Sequence, residues 1–197
     1  MMKHRASVWI VSGVCAGMLA GCSAPAVRAK NATDPTPAAG GNLLTVEKVN
    51  DAQQAWCDSL VNIAKTYAAG GDYQTVATKV LSNQYNYDYG TVLFNPTLTF
   101  GEQNFRLDKE GAAAYFIGGN PKYPNDAGFA LKPWVGCRYT NEGVLIDGDF
   151  AFTMGNVFLT DAKGKETMVD KFFAFKRGND GKLRIIVHKS ALPFKPN

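Results

Sequence analysis

The chain has 197 residues, ample for one domain with extensions and few for two. At 46% hydrophobic, 12% aromatic and 19% charged, it can fill a packed core and is not a wholly disordered chain. The net charge of +4 comes with no basic stripe and no acidic tail, which argues against nucleic acid as a partner.

Lys3 and Arg5 precede an uncharged run from Ala6 to Ala20. That is the pattern of a secretory leader, shorter than the ~20 apolar residues of a spanning helix. The run ends Leu19-Ala20-Gly21-Cys22, which resembles a bacterial lipobox. Residues 1–21 are therefore expected to be a signal peptide, with Cys22 acylated at the mature N-terminus; ordinary cleavage at small residues is the alternative. Ser23 rather than Asp after the cysteine fits the variant sent to the outer membrane. The expected location is the periplasm, with the membrane met only through the lipid. Residues 22–42 are rich in Ala, Pro, Gly, Thr and Asn, and read as a flexible tether to a domain spanning 43–197.

Val46, Val49, Trp56, Leu60, Ile63 and Tyr67 recur at helical spacing behind Thr45, a suitable N-cap, and Gly70-Gly71 ends the segment. A second helix is expected from Asp72 to about Asn83, burying Val76, Val80 and Leu81. Tyr85, Tyr87 and Tyr89 alternate before a short strand at Val92-Leu93-Phe94 that ends at Pro96. Asp108 can cap a third helix through Ile117, closed by Gly118-Gly119. Its Gly111, Ala112, Ala113 and Ala114 allow close approach to a neighbour, and Tyr115 is its one long polar side chain.

Strands follow. Trp134 to Tyr139 is expected to turn at Asn141-Glu142-Gly143, and Val144 to Leu159 continues with a break near Gly148. Thr167 to Lys176 and Leu183 to Ser190 are set off by turns at 161–164 and 178–181. Helices first and an antiparallel meander afterwards is an α+β pattern. A long N-terminal helix laid into a curved antiparallel sheet resembles the cone of nuclear-transport-factor-2-like domains. That resemblance implies a pocket between helix and sheet, and a homodimer formed through the sheet's outer face.

His188 is the sole histidine beyond the leader, and strand alternation groups it with Ser190 and Ile186, leaving Leu183, Ile185 and Val187 on the other face. Spacing alone leaves open a strand histidine satisfied by a backbone carbonyl. Asp170 either orients a partner in a pocket or is exposed or salt-bridged. Cys57 and Cys137 are open to two readings, a disulfide or two buried thiols. A zinc site of three histidines is excluded by count. Cys57, Cys137 and His188 remain as a zinc alternative, although they lack the close spacing usual for such sites.

Five words stand in order along the domain: Phe94-Asn95-Pro96-Thr97, Ala114-Tyr115-Phe116, Thr153-Met154-Gly155-Asn156, Met168-Val169-Asp170-Lys171 and His188-Lys189-Ser190-Ala191-Leu192-Pro193. Together they resemble the iota class of carbonic anhydrases, from about Ala55 to Pro193. The family commonly ends in His-His-Ser-Ser-Leu-Pro; here Lys189 and Ala191 take two of those places, both on the face opposite His188 and Ser190. The resemblance implies reversible hydration of carbon dioxide to bicarbonate, with Thr97, Tyr115, His188 and Ser190 as pocket residues. Thr97 and Tyr115 would hold water and the developing oxyanion, Ser190 would orient them, and His188 would move the proton. It implies no obligatory metal, with zinc or manganese as the alternative. Two other readings of the same fold are a non-catalytic ligand-binding module and an isomerase or dehydratase using Asp170 as base.

Overall fold

The structure is a computed structural model that describes residues 43–196. The leader at 1–21, Cys22 and the tether at 22–42 lie outside the described residues.

Helix α1, Val46–Ala68, starts where Thr45 Oγ1 accepts from the Lys48 amide at 3.3 Å. Its apolar stripe buries Val49, Trp56, Cys57, Leu60 and Ile63, while Val46 and Tyr67 at the two ends stand exposed. Helix α2, Tyr73–Gln84, is capped by Asp72 and buries Ala77, Val80 and Leu81. Helix α3, Lys109–Ile117, is capped by Asp108, which accepts from the Gly111 amide at 2.7 Å. A Cβ at Gly111 would stand 2.9 Å from Arg106 Cδ and 2.7 Å from the Tyr123 hydroxyl, so the small face of α3 does seat close neighbours.

Five strands form one open sheet: β1 Leu93–Asn95, β2 Trp134–Asp147, β3 Phe150–Asp161, β4 Glu166–Arg177 and β5 Leu183–Ala191, in the order β1-β5-β4-β3-β2. Strands β2 to β5 are an antiparallel meander, and β1 joins β5 in parallel. The α+β class and the helix laid on a curved sheet agree with the sequence.

In α2, Val76 is half-buried rather than buried, and in the sheet two expectations fail, both at bulges. The segment Asn141-Glu142-Gly143 is not a turn. Strand β2 runs through it with Glu142 as an extra residue between the Asn141↔Gly155 and Gly143↔Met154 pairs. Asn141 is used for packing instead: it exchanges side-chain hydrogen bonds of 2.9 and 3.0 Å with Gln53 on α1. Opposite it, a Cβ on Gly155 would meet the Thr140 carbonyl oxygen at 2.0 Å, so glycine lets the bulged strand close up. The actual hairpin turn is at Gly148, with φ 57°.

The second bulge lies between Ala174↔Val187 and Phe175↔Ile185, with Ile186 as the extra residue. It shifts the alternation, so Ile185 shares the inner face with His188 and Ser190 rather than opposing them. All three are buried.

The disulfide is present. Cys57 of α1 is bonded to Cys137 of β2 across 80 residues, with Cα atoms 5.2 Å apart. The zinc alternative built on Cys57, Cys137 and His188 therefore falls, because both sulfurs are bonded to each other.

Candidate active site

Strand pairing assembles the site. His188 on β5 is opposite Phe173 on β4 and Phe94 on β1, and Ser190 is opposite Lys171. The imidazole is stacked on Phe94 with centroids 4.4 Å apart, and Phe173 and the edge of Trp56 close two more sides at 4.7 and 5.5 Å. His188 is 2% exposed, and burial, followed by the neighbouring Lys171 amine, holds its pKa well below the ordinary imidazole value.

Its polar partners are side chains, not a backbone carbonyl. Nδ1 lies 2.8 Å from Tyr85 Oη, and Nε2 lies 2.9 Å from Lys171 Nζ. Lys171 Nζ also reaches Ser190 Oγ at 3.0 Å, and Ser190 Oγ bonds Thr97 Oγ1. At the far end, the Trp56 indole donates to Tyr85 Oη at 2.9 Å. An indole N–H can only donate. The Tyr85 hydroxyl, accepting from it, is then free to donate to Nδ1, which leaves the ring proton on Nε2 facing Lys171. An uncharged amine accepts that proton on its lone pair and donates one N–H to Ser190. In agreement, burial, with a smaller push from Lys189, lowers the Lys171 pKa to about 7.

The chain ends at a cavity of ≈ 10 Å³, room for about one water molecule. Thr97, Tyr115, His188 and Ser190, the four residues named from sequence, all line it, together with Lys171. Apolar rings complete the wall, among them Phe94, Phe116 and Phe129. Tyr115 on α3 is 5% exposed, and its Oη makes no hydrogen bond. Burial pushes its pKa above the phenolic range, so it stays an O–H donor at neutral pH. Thr97 is placed by a pinned loop: the Arg106 amide donates to the Phe94 carbonyl at 2.8 Å, and Thr99 Oγ1 donates to Asn104 Oδ1 at 2.8 Å.

Asp170 faces away, exposed and accepting from Asn156 Nδ2 at 2.9 Å. That removes the base needed by the isomerase or dehydratase reading. Sequence reasoning missed Lys171, Tyr85 and Trp56. One signal for Lys171 was present: the period of two through Val169, Lys171, Phe173 and Phe175 puts it on the core face. Among the described residues, no three His, Cys, Asp or Glu side chains cluster closely enough to hold a metal.

A protein-family model described as metal-independent carbonic anhydrase matches residues 47–192. A metal-independent carbonic anhydrase from Nostoc sp. is 44% identical over 154 residues, covering 77% of this chain and 75% of that protein. A crystal structure of a cyanobacterial iota-carbonic anhydrase complexed with bicarbonate is similar at TM-score 0.78 and 43% identity, over 82% of this chain and 99% of that one. A nuclear transport factor 2-like protein from Salmonella enterica is similar at TM-score 0.46 and 9% identity, over 77% of this chain and 92% of that one.

Proposed function

Because this chain belongs to the metal-independent carbonic anhydrase family, whose activity is the hydration of carbon dioxide, we propose how its own residues perform that reaction. The reading is carried by the hydrogen-bonded chain from Trp56 to Thr97, which ends at an apolar cavity also lined by Tyr115, whose hydroxyl makes no hydrogen bond.

A water in the cavity is held by the hydroxyls of Thr97 and Ser190. Thr97 and Phe129 are the half-buried members of the lining, so carbon dioxide enters between them and rests against the aromatic wall. As the water oxygen attacks carbon, charge moves to an oxygen of the gas, and Tyr115 Oη donates to it. The water's proton passes through Thr97 and Ser190 to the Lys171 amine, whose lone pair turns from the His188 Nε2–H to the Ser190 hydroxyl for that step. His188, with both ring nitrogens engaged, positions that amine and does not face the water with a free lone pair. Bicarbonate leaves, and the proton returns to solvent.

The test is stopped-flow hydration on chelator-stripped protein, where full activity is expected. Thr97→Val and Tyr115→Phe should each lower kcat by about 10²–10³-fold, the usual cost of a lost transition-state donor. Turnover unchanged in both variants rejects these roles.

The mature protein is a lipid-anchored periplasmic lipoprotein of the outer membrane in this reading, supported by Leu19-Ala20-Gly21-Cys22 and Ser23. Cys22→Ser should abolish incorporation of a fatty-acid label and release the protein to the soluble fraction; persistent labelling rejects the anchor. A homodimer is supported by the sheet's outer face, where Leu145 and Met154 are 63% and 62% exposed beside Phe152 and Phe172. Sedimentation should give a dimer that Leu145→Asp dissociates; a wild-type monomer at micromolar concentration rejects it.

A further inference from the structure

Lys171 is the only buried lysine among the described residues. Its Nζ lies 4.8 Å from the Trp56 ring centroid and 5.6 Å from that of Phe173. Its hydrogen-bond partners are His188 Nε2 and Ser190 Oγ, and no carboxylate among the described residues stands at ion-pair distance. An amine so enclosed has water and counter-ion removed, both of which would favour its ammonium form. It also lines the cavity into which carbon dioxide is delivered. An uncharged primary amine is a nucleophile toward that gas.

We propose that the Lys171 amine is reversibly carbamylated by the enzyme's own substrate, and that the N-carboxylysine formed blocks turnover. The inference rests on the carbon dioxide hydration reading for its supply of gas. The nitrogen lone pair leaves its hydrogen bond with the His188 Nε2–H and forms an N–C bond to the carbon of carbon dioxide. One C=O π pair moves onto oxygen, and the nitrogen releases a proton to the Ser190–Thr97 hydroxyls and on to solvent. The balance is amine plus carbon dioxide giving carbamate plus a proton, with no oxidant, reductant or further reactant.

The surroundings suit the product. Around Nζ stand Ser190 and Thr97, His188 backed by Tyr85, and Tyr115 across the cavity. All are neutral groups that can donate to a carboxylate. The nearby charged group is the ammonium of Lys189, on the same strand as Ser190, which favours an anion here. The carbamate displaces the water, extends into the space that carbon dioxide otherwise enters, and uses up the lone pair that would accept the water's proton. High carbon dioxide thus slows the enzyme through its own base.

The full-length protein is equilibrated with ¹³C-labelled bicarbonate at pH 8, and the carboxyl group is trapped by alkylation with a trialkyloxonium salt before proteolysis and mass spectrometry. Labelled carboxylate on Lys171 is expected, together with a ¹³C resonance that is absent from Lys171→Arg and Lys171→Met and lost on purging with carbon dioxide-free gas. Preincubation with the gas should lower the initial hydration rate in proportion to the trapped fraction, and purging should restore it. No adduct at Lys171 in wild-type protein that hydrates normally overturns the proposal and leaves the hydration reading standing. An adduct with unchanged rate overturns the regulatory part. An adduct in protein without hydration activity supports carbamylation and sinks the hydration reading alone.

Discussion

Lys171→Met is expected to lower kcat for hydration by about 10²–10⁴-fold, the ordinary worth of a positioned general base. Methionine matches the apolar stem of lysine as far as Cε and lacks only the terminal nitrogen, so the stem's packing against Trp56 and Phe173 should be retained. The lost element is the basic nitrogen between His188 and Ser190. The pH profile separates this role from a structural one. With its pKa lowered to about 7, the wild-type amine is uncharged above that value and protonated below it. Activity should therefore fall as pH drops through about 7 and level off above it, and the inflection should vanish from whatever rate the variant retains.

Stability should move differently. The folded pKa of about 7 lies below the unfolded value, so the unfolded chain binds more protons between the two. Stability contributed at this position is therefore present at high pH and lost as pH falls toward about 7. His188, also lowered, continues the loss below the ordinary imidazole range. Lys171→Met should flatten the first part of that slope, as read by denaturant midpoints from pH 7 to 10. A variant that keeps wild-type kcat, or keeps the inflection near 7, removes Lys171 from the reaction.

Local chemistry was legible in the sequence and cross-strand chemistry was not. Thr45 and Asp108 cap their helices as expected because a cap needs only the next three residues, and Asp72, expected as the first residue of α2, caps it instead. Thr97, Tyr115, His188 and Ser190 were named through a resemblance in ordered words, and the fold brings them to one cavity. The bulges at Glu142 and Ile186 stayed hidden because each is set by the partner strand: by Gly155 closing on Thr140, and by the β4–β5 register. A lysine is ordinarily expected outside, and Lys171 stands beside Asp170, the carboxylate of the same word. The alternation that places Asp170 in solvent is what places Lys171 in the core. Tyr85 sits in a polar stretch and gives no local sign that it is fully buried.

Cys57→Ala with Cys137→Ala is expected to cost about 4.5 kcal/mol, the loop-closure value for a bridge of this span. The bridge joins residues 80 apart, and so ties the first helix to the start of the meander across every element that carries a site residue before β2. Against a domain stability of about 5–15 kcal/mol, that loss leaves the fold marginal near body temperature. It should appear as a large drop in denaturant midpoint and in Tm. The site should feel it through Cys57's neighbour. Trp56 starts the donor chain at Tyr85 and walls His188, so loosening α1 frees the group that sets the direction of every proton downstream. Hydration by the double variant should fall with temperature well before its secondary structure melts, whereas Lys171→Met should keep its lowered rate and its fold over the same range. A double variant with the wild-type midpoint would mean that core packing alone holds α1 against β2, and that the bridge contributes little to the stability of the site.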